Sequence, residues 1–315
     1  MSMMEFHNAL AEKDENPIFG YLFAHMTNER YGRLFYALSE DGLNWTELND
    51  GKAVKGDEYW GHADIVTGHD GRYYLVGNNA YEDGSHGQEI TIWVSDDLIS
   101  WELFKQLAPD VSPIMKGALN NRGAPKLYFD KPIKTYYLSW HTSNKRRTEE
   151  NREQYWAHQR TFYVTSKDLK KFSEPKRLFT WNRPTLDVII RREGEMLYAF
   201  VKDERVPSPF YPTGKSILMT RATSIEGPWA DPFNRISPSY REAPTLIPKK
   251  NEKGYYLFYE HYTGVGYEVS SAETLAGPWY NLWNRQYSVP SNARHGSMIA
   301  LTKEEFKRIE AAFAK

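Results

Sequence analysis

Apolar residues in this chain fall in short β-branched and aromatic runs closed off by turn residues, the pattern of strands. One set of runs comprises Ala63-Asp-Ile-Val-Thr67, Pro125-Lys-Leu-Tyr-Phe129, Leu186-Asp-Val-Ile-Ile190 and Pro244-Thr-Leu-Ile247. Each is followed, across a turn containing Gly, Asp or Lys, by a Tyr-rich partner: Tyr73-Tyr-Leu-Val76, Tyr136-Tyr-Leu-Ser-Trp140, Leu197-Tyr-Ala-Phe-Val201 and Tyr255-Tyr-Leu-Phe-Tyr259. Third strands are expected at 90–94, 161–165 and 217–220. A turn signature then leads into a short fourth strand. Ser39-Glu-Asp-Gly-Leu-Asn-Trp45 recurs as Ser95-Asp-Asp-Leu-Ile-Ser-Trp101 and Ser166-Lys-Asp-Leu-Lys-Lys-Phe172, with looser copies ending at Trp229 and Trp279. Successive copies start 47 to 71 residues apart. That spacing holds about four short strands of roughly five residues, which is one blade of a propeller. The turns themselves read as architecture, with Asp97 and Asp168 accepting local backbone hydrogen bonds.

The two chain ends complete the count. After Trp279 comes one more first-type strand, Gly296-Ser-Met-Ile-Ala-Leu301, with no partners behind it. Near the start, Tyr21–Ala24, Arg33–Leu38 and Trp45–Leu48 are three strands with no first strand before them. Together they make a fifth blade, shared between about 19–50 and 295–301, and predict an all-β, five-bladed propeller spanning residues 1–315 as one domain. Such closure hides sheet edges that would otherwise be exposed. Thr302-Lys-Glu-Glu305 is a capping-box pattern, and Phe306, Ile309 and Phe313 share one face, so a short packing helix is expected over about 303–314. The mixed-charge stretch 145–160 is an insertion between second and third strands. It reads as a solvated loop, with a rim over the pocket or a subunit contact as the alternatives.

Composition narrows the function. The chain has 22 Tyr, 15 Phe and 10 Trp, a net charge of −1 and no Cys. No global field favours nucleic acid or anionic lipid, and neither disulfides nor thiolate chemistry are available. No apolar stretch approaches a membrane span, and the first residues lack the basic and apolar regions of a signal peptide, so a cytoplasmic location is expected.

In a propeller the first strands line the axis and the second strands run antiparallel to them. Starts of first strands and ends of second strands therefore meet at one mouth. This gathers His62, Asp64, Asp187, Glu242 and His295 from first strands. It adds Asn78, Asn79, His141, Asp203, Glu204, Glu260 and His261 from second-strand ends, with Arg241 and Arg294 just before two first strands. A ring of carboxylates, imidazoles and amides suits a polyol, and glycosidic cleavage needs two positioned carboxyl groups.

Ser-Glu-Asp-Gly-Leu-Asn-Trp, Thr185-Leu-Asp-Val-Ile, Arg241-Glu-Ala-Pro-Thr-Leu and Arg294-His-Gly-Ser-Met-Ile, in this order, resemble glycoside hydrolase family 43 and its five-bladed relatives over nearly the whole chain. The resemblance implies an inverting glycosidase releasing arabinofuranose, xylose or galactose, with an oligosaccharide as its partner. It makes Glu242 the general acid, whose pKa must then be raised, and Asp187 the group that positions and raises it. It places His295 at the pocket floor, facing water or a single cation. No other cofactor and no spacing typical of a metal site is indicated.

The chain departs from the family at the base. His62 stands where an Asp belongs, and Asp64 lies two residues on, displaced by about 6.6 Å along the strand. Either His62 is the base, or Asp64 reaches the water, or inverting hydrolysis has been lost. The last leaves a glycan-binding propeller, or a phosphorylase in which phosphate attacks and Arg122, Lys202, Arg241 and Arg294 are candidate phosphate partners. His295, Arg294, Asn79, His141, Asp203, Glu260 and His261 are the candidate sugar contacts.

Overall fold

The computed structural model describes residues 17–56, 59–80, 86–232, 234–264 and 266–314. Five antiparallel sheets form a five-bladed β-propeller. The closing blade takes β1 (Gly20–Thr27), β2 (Phe35–Ser39) and β3 (Thr46–Glu47) from the start of the chain. Blade 1 comprises β4 (Tyr59–Thr67), β5 (Tyr73–Ala80), β6 (His86–Ser95) and β7 (Glu102–Leu107). Blade 2 comprises β8 (Gly123–Asp130), β9 (Thr135–Thr142), β10 (Arg160–Ser166) and β11 (Lys176–Arg177). Blade 3 has β12 (Thr185–Glu193), β13 (Met196–Asp203) and β14 (Ile217–Ala222). Its expected fourth strand is reduced, among the described residues, to a single bridge between Leu218 and Arg235. Blade 4 comprises β15 (Arg241–Pro248), β16 (Tyr255–His261), β17 (Tyr267–Ala272) and β18 (Tyr280–Asn281).

The last strand, β19 (Ala293–Leu301), pairs antiparallel with β1 from Gly20 opposite Leu301 to Thr27 opposite Ala293. The termini thus close the ring, as the strand count predicts. Inner strands touch in a cycle: β4 meets β8, β8 meets β12, β12 meets β15, β15 meets β19, and β19 returns to β4. Side chains bolt this inner ring together. Leu127 N–H donates to Asp64 Oδ2 at 2.7 Å, Ala243 N–H to Asp187 Oδ2 at 3.1 Å, Met298 N–H to Thr245 Oγ1 at 2.9 Å and Ile65 N–H to Ser297 Oγ at 2.9 Å.

Because each sheet is apolar on both faces, the core is divided into five wedges, each between adjacent blades. The aromatic-rich second strands fill them: Tyr74, Tyr136 and Trp140 between blades 1 and 2, and Phe200 and Tyr259 between blades 3 and 4. The Ser…Trp turns are structural. Ser95 Oγ accepts from Leu98 N–H at 2.9 Å, and Asp97 Oδ1 from Ile99 and Ser100 N–H at 2.8 Å each. The same bonds recur at Ser39/Asp41 and Ser166/Asp168.

Helix α1 (Arg152–Ala157) lies in the insertion, and α2 (Lys303–Ala312) follows β19. Thr302 and Glu305 form the expected capping box, and Phe306 and Ile309 are buried against the closing blade. Among the described residues no helix is long and apolar enough to cross a membrane. Closure leaves little room at Gly296, where a Cβ would lie 2.1 Å from Ala24 O and 2.8 Å from His25 Cα. Gly296→Ala is therefore expected to lower stability by about 1–3 kcal/mol through forced separation of β1 and β19. Thermal unfolding checks this, and an unchanged midpoint would mean that the closing pair is not tightly packed.

Candidate active site

The innermost strand pair of every blade slips register at the same end. The breaks lie between Trp60 and Asp64, Gly123 and Lys126, Leu186 and Ile189, and Glu242 and Thr245. In the closing blade the break falls between His25 and Met26, opposite His295. Bulges leave a residue unpaired and re-aim its side chain. His62, Asp187 and His295 are such unpaired residues, and Glu242 borders the fourth bulge. Ala124, Asp187 and Ala243 occupy equivalent places with φ of 41°, 50° and 48°. This left-handed region suits Asp better than most side chains. Local backbone distortion, repeated by the fold, is what points chemistry at the axis.

The result is a pocket of about 530 Å³ at the predicted mouth. All five blades contribute: His62 from β4, His141 from β9, Asp187 and Lys202 from β12 and β13, Glu242 from β15, and Arg294 and His295 from β19. Glu204, just past β13, also lines it. Glu242 is surrounded by donors. Lys202 Nζ donates to its Oε2 at 2.6 Å, His295 Nε2 lies 3.0 Å from Oε1 and Arg294 Nη2 3.5 Å from Oε1. Burial alone would push Glu242 up, but the Lys202 ammonium and the bonded His295 overcome it and hold the carboxyl well below its usual range. The expected raising of Glu242 by Asp187 is thus corrected: with these neighbours Glu242 is ionised. Asp187 acts on its neighbour, accepting Ala243 N–H and fixing the turn that carries Glu242.

The other groups behind Glu242 complete a network. Burial raises Glu260, and the Glu242 charge adds to this, although His295 and Arg294 pull the other way. Glu260 accepts His295 N–H at 2.9 Å and pairs with Arg294. Burial would lower His295, but Glu260 and Glu242 outweigh it and raise this imidazole. Lys202 also reaches Glu204 Oε2 at 3.0 Å, and Lys215 pairs with Glu204.

His62 stacks on His295 with centroids 3.9 Å apart, and its Nε2 lies 3.1 Å from Tyr31 Oη. Burial, then the charges of His295 and Lys126, hold it well below the ordinary imidazole value, so it is neutral. Burial likewise holds His141 down to about 4. Its ring fits because residue 123 is Gly: a Cβ there would lie 2.4 Å from His141 Nε2. Donor atoms of His62, Asp187 and His295 fall within 4.8 Å of one another. The Nδ1 atoms of both imidazoles are buried without a hydrogen-bond partner. Two imidazoles and a carboxylate in that arrangement fit a single cation, on condition that His295 gives up the proton that Glu260 and Glu242 favour on it.

Several sequence candidates do not reach the pocket. Asp64 is buried between blades 1 and 2, bonded to Leu127 N–H with Lys126 Nζ at 4.0 Å, which removes it as an alternative base. Asp203 is tied to Arg205 and Thr213 at 2.6 and 2.9 Å. His261 and Arg241 turn to Glu268, at 3.6 and 3.0 Å. Glu260 stands behind Glu242, outside the lining, as a support. Asn78 donates to Glu89 O at 2.9 Å. The backbone of Asn79 pairs with Tyr59, and its side chain lies outside the described residues. Of the proposed phosphate partners, Arg122 spends its guanidinium on Pro109 O and Asn120 O, and Arg241 on Glu268. Sequence reasoning missed Tyr31, Tyr240, Tyr262, Lys215 and the insertion residues Arg147, Arg152, Glu153 and Trp156, all of which line the pocket. The insertion is therefore a rim, one of the alternative readings of that stretch. The signal for Tyr262 was its position directly after β16, and the loop residues carried none.

A closed five-bladed propeller with carboxylates and imidazoles around an axial pocket defines a glycosidase-type scaffold. The family described as a probable glycosyl hydrolase domain, related to glycoside hydrolase family 43, matches residues 16–307, and the chain belongs to that family. No curated protein matches the chain by sequence. Among solved structures it is similar to a thermostable family-43 glycoside hydrolase at 21% identity and a TM-score of 0.53, covering 75% of this chain and 78% of that one. An exo-β-1,3-galactanase from Clostridium thermocellum aligns at 17% identity and a TM-score of 0.53, covering 77% of this chain and 52% of that one. An exo-β-1,3-galactanase from Phanerochaete chrysosporium, with β-1,3-galactotriose, aligns at 16% and 0.54, covering 80% and 54%. The chain spans about half the length of the two galactanases, and the likeness at this identity is one of fold.

Proposed function

We propose that the protein is an exo-acting, inverting glycoside hydrolase that removes a terminal galactosyl, arabinofuranosyl or xylosyl residue from an oligosaccharide. The observation that carries the reading is the convergence of Glu242, Asp187, His62 and His295, from four blades, on one pocket. A pocket rimmed by the insertion suits a chain end better than a mid-chain segment. The galactosyl substrate is the first to try, given the two galactanases of like fold.

His62, being neutral, takes a proton from water as the water oxygen attacks the anomeric carbon. The glycosidic C–O bond breaks, and its electron pair stays on the leaving oxygen. That oxygen receives a proton from the Glu242–His295 pair. The pair titrates as a unit across its 3.0 Å contact. His295 stores the proton as imidazolium, and Glu242 presents it once a sugar displaces the donors now on its carboxylate. A cation at the floor would be held by His62, Asp187 and His295 and would supply positive charge beneath the sugar hydroxyls, in competition with the base role of His62 and with the proton stored on His295.

A glycan-binding protein without turnover is the second reading, favoured by the ionised state of Glu242 and by a base that is not a carboxylate. Phosphorolysis has less support, since Arg122 and Arg241 are engaged elsewhere. Nitrophenyl glycosides of the three sugars, with and without phosphate, separate the readings. Phosphate-independent release of nitrophenol is expected. Release only with phosphate, or none with sugar binding retained, would contradict the hydrolase.

A further inference from the structure

We propose that the pocket mouth is an anion subsite, in which Arg147 and Arg152 receive an oxyanion carried by the glycan, so that the protein takes acidic saccharides in preference to neutral ones. This rests on the glycosidase reading and names its substrate class.

The deep cations of the pocket are already committed. Lys202 is paired with Glu242 and Glu204, Lys215 with Glu204, and Arg294 with Glu242 and Glu260. They bring no surplus charge to a ligand. Arg147 and Arg152 also line the pocket, yet neither makes an ion pair among the described residues. Of the insertion's three acids only Glu153 shares that wall, while Glu149 and Glu150 stay off it. The mouth thus offers two guanidinium groups against one carboxylate.

The insertion that carries them is fastened down. Ser143 Oγ donates to Tyr155 O at 3.0 Å, Asn121 Nδ2 to Tyr155 Oη at 2.7 Å, and the Tyr155 ring is buried. Thr148 and Asn151 exchange hydrogen bonds at 2.9 and 3.2 Å, closing the bend between the two arginines. Arg147 lies over the Trp156 ring, 5.6 Å from its centroid, which restrains the guanidinium at the wall. A planar fork of donors matches a carboxylate, and sulfate or phosphate esters share that chemistry.

The test is calorimetric binding at low salt of digalacturonate, galactobiose and inorganic phosphate to the full chain, wild type and Arg147→Gln/Arg152→Gln. Both arginines are exposed, so the variant should keep its thermal midpoint, which is measured alongside. The expected result is digalacturonate bound about tenfold tighter than galactobiose, a gap that closes in the variant and in about 0.5 M salt. Equal binding of the two disaccharides, or a gap that survives the double substitution, would overturn the anion subsite and leave the glycosidase reading standing. Inorganic phosphate bound more tightly than either sugar, and lost in the variant, would assign the arginines to a free anion and overturn the inference. Failure of both disaccharides to bind would overturn the inference, while the glycosidase reading stands or falls separately on the nitrophenyl glycosides of the three sugars.

Discussion

Replacement of Glu242 by Gln should lower kcat/KM on any glycoside the protein cleaves by about 10²–10⁴-fold, the range lost with a general acid. The substitution keeps the shape of the side chain but removes its proton-bearing oxygen and its charge. Sugar binding should persist, because His62, His141, Lys202 and the rim are untouched by it. Steady-state kinetics beside calorimetric binding tests the separation. Turnover reduced less than tenfold would remove Glu242 from the chemistry and leave it as an anchor for Lys202 and His295.

Lys202→Met should have the larger effect on stability. It breaks the buried contact with Glu242 at 2.6 Å and leaves Glu204 with Lys215 as its remaining partner. Removing one member of such a pair costs about 3–5 kcal/mol. The sign with pH follows from Glu242, which is held below its usual range. Its ion pair stabilises the fold above the ordinary carboxylate range and fades as pH falls through the depressed value. The deficit of the variant should therefore be largest near neutrality and shrink in acid. Activity should move the other way. Without the ammonium, Glu242 keeps its proton to higher pH, so the alkaline limb of the rate profile shifts upward. Chemical denaturation at several pH values and a pH–rate profile check both. An unmoved alkaline limb would show that Lys202 does not set the ionisation of Glu242.

The ring was legible in the chain because the pattern of strands is local and repeated, and because the missing partners at each end, before Tyr21 and after Leu301, point to one another. The carboxylates and imidazoles of β12, β15 and β19 were legible for the same reason, since a first strand has only one end at the mouth. What the sequence could not carry was direction and neighbourhood. Asp64 and His62 are two residues apart on one strand, yet the bulge between Trp60 and Asp64 sends His62 to the pocket and Asp64 between blades. A period of two says nothing of a bulge. Asp203 and His261 lie at the expected strand ends but found nearer partners in Arg205 and Glu268. The charge state of Glu242 was missed because Lys202 sits on the neighbouring blade, 40 positions away.

A crystal structure with galactose soaked into the pocket decides the role of Glu242. The anomeric oxygen is expected within about 2.6–3.2 Å of the Glu242 carboxyl, with a water or the open face of the ring toward His62. Galactose bound with its anomeric carbon turned away from Glu242, or lodged outside the ring of His62, Asp187 and His295, would contradict that role.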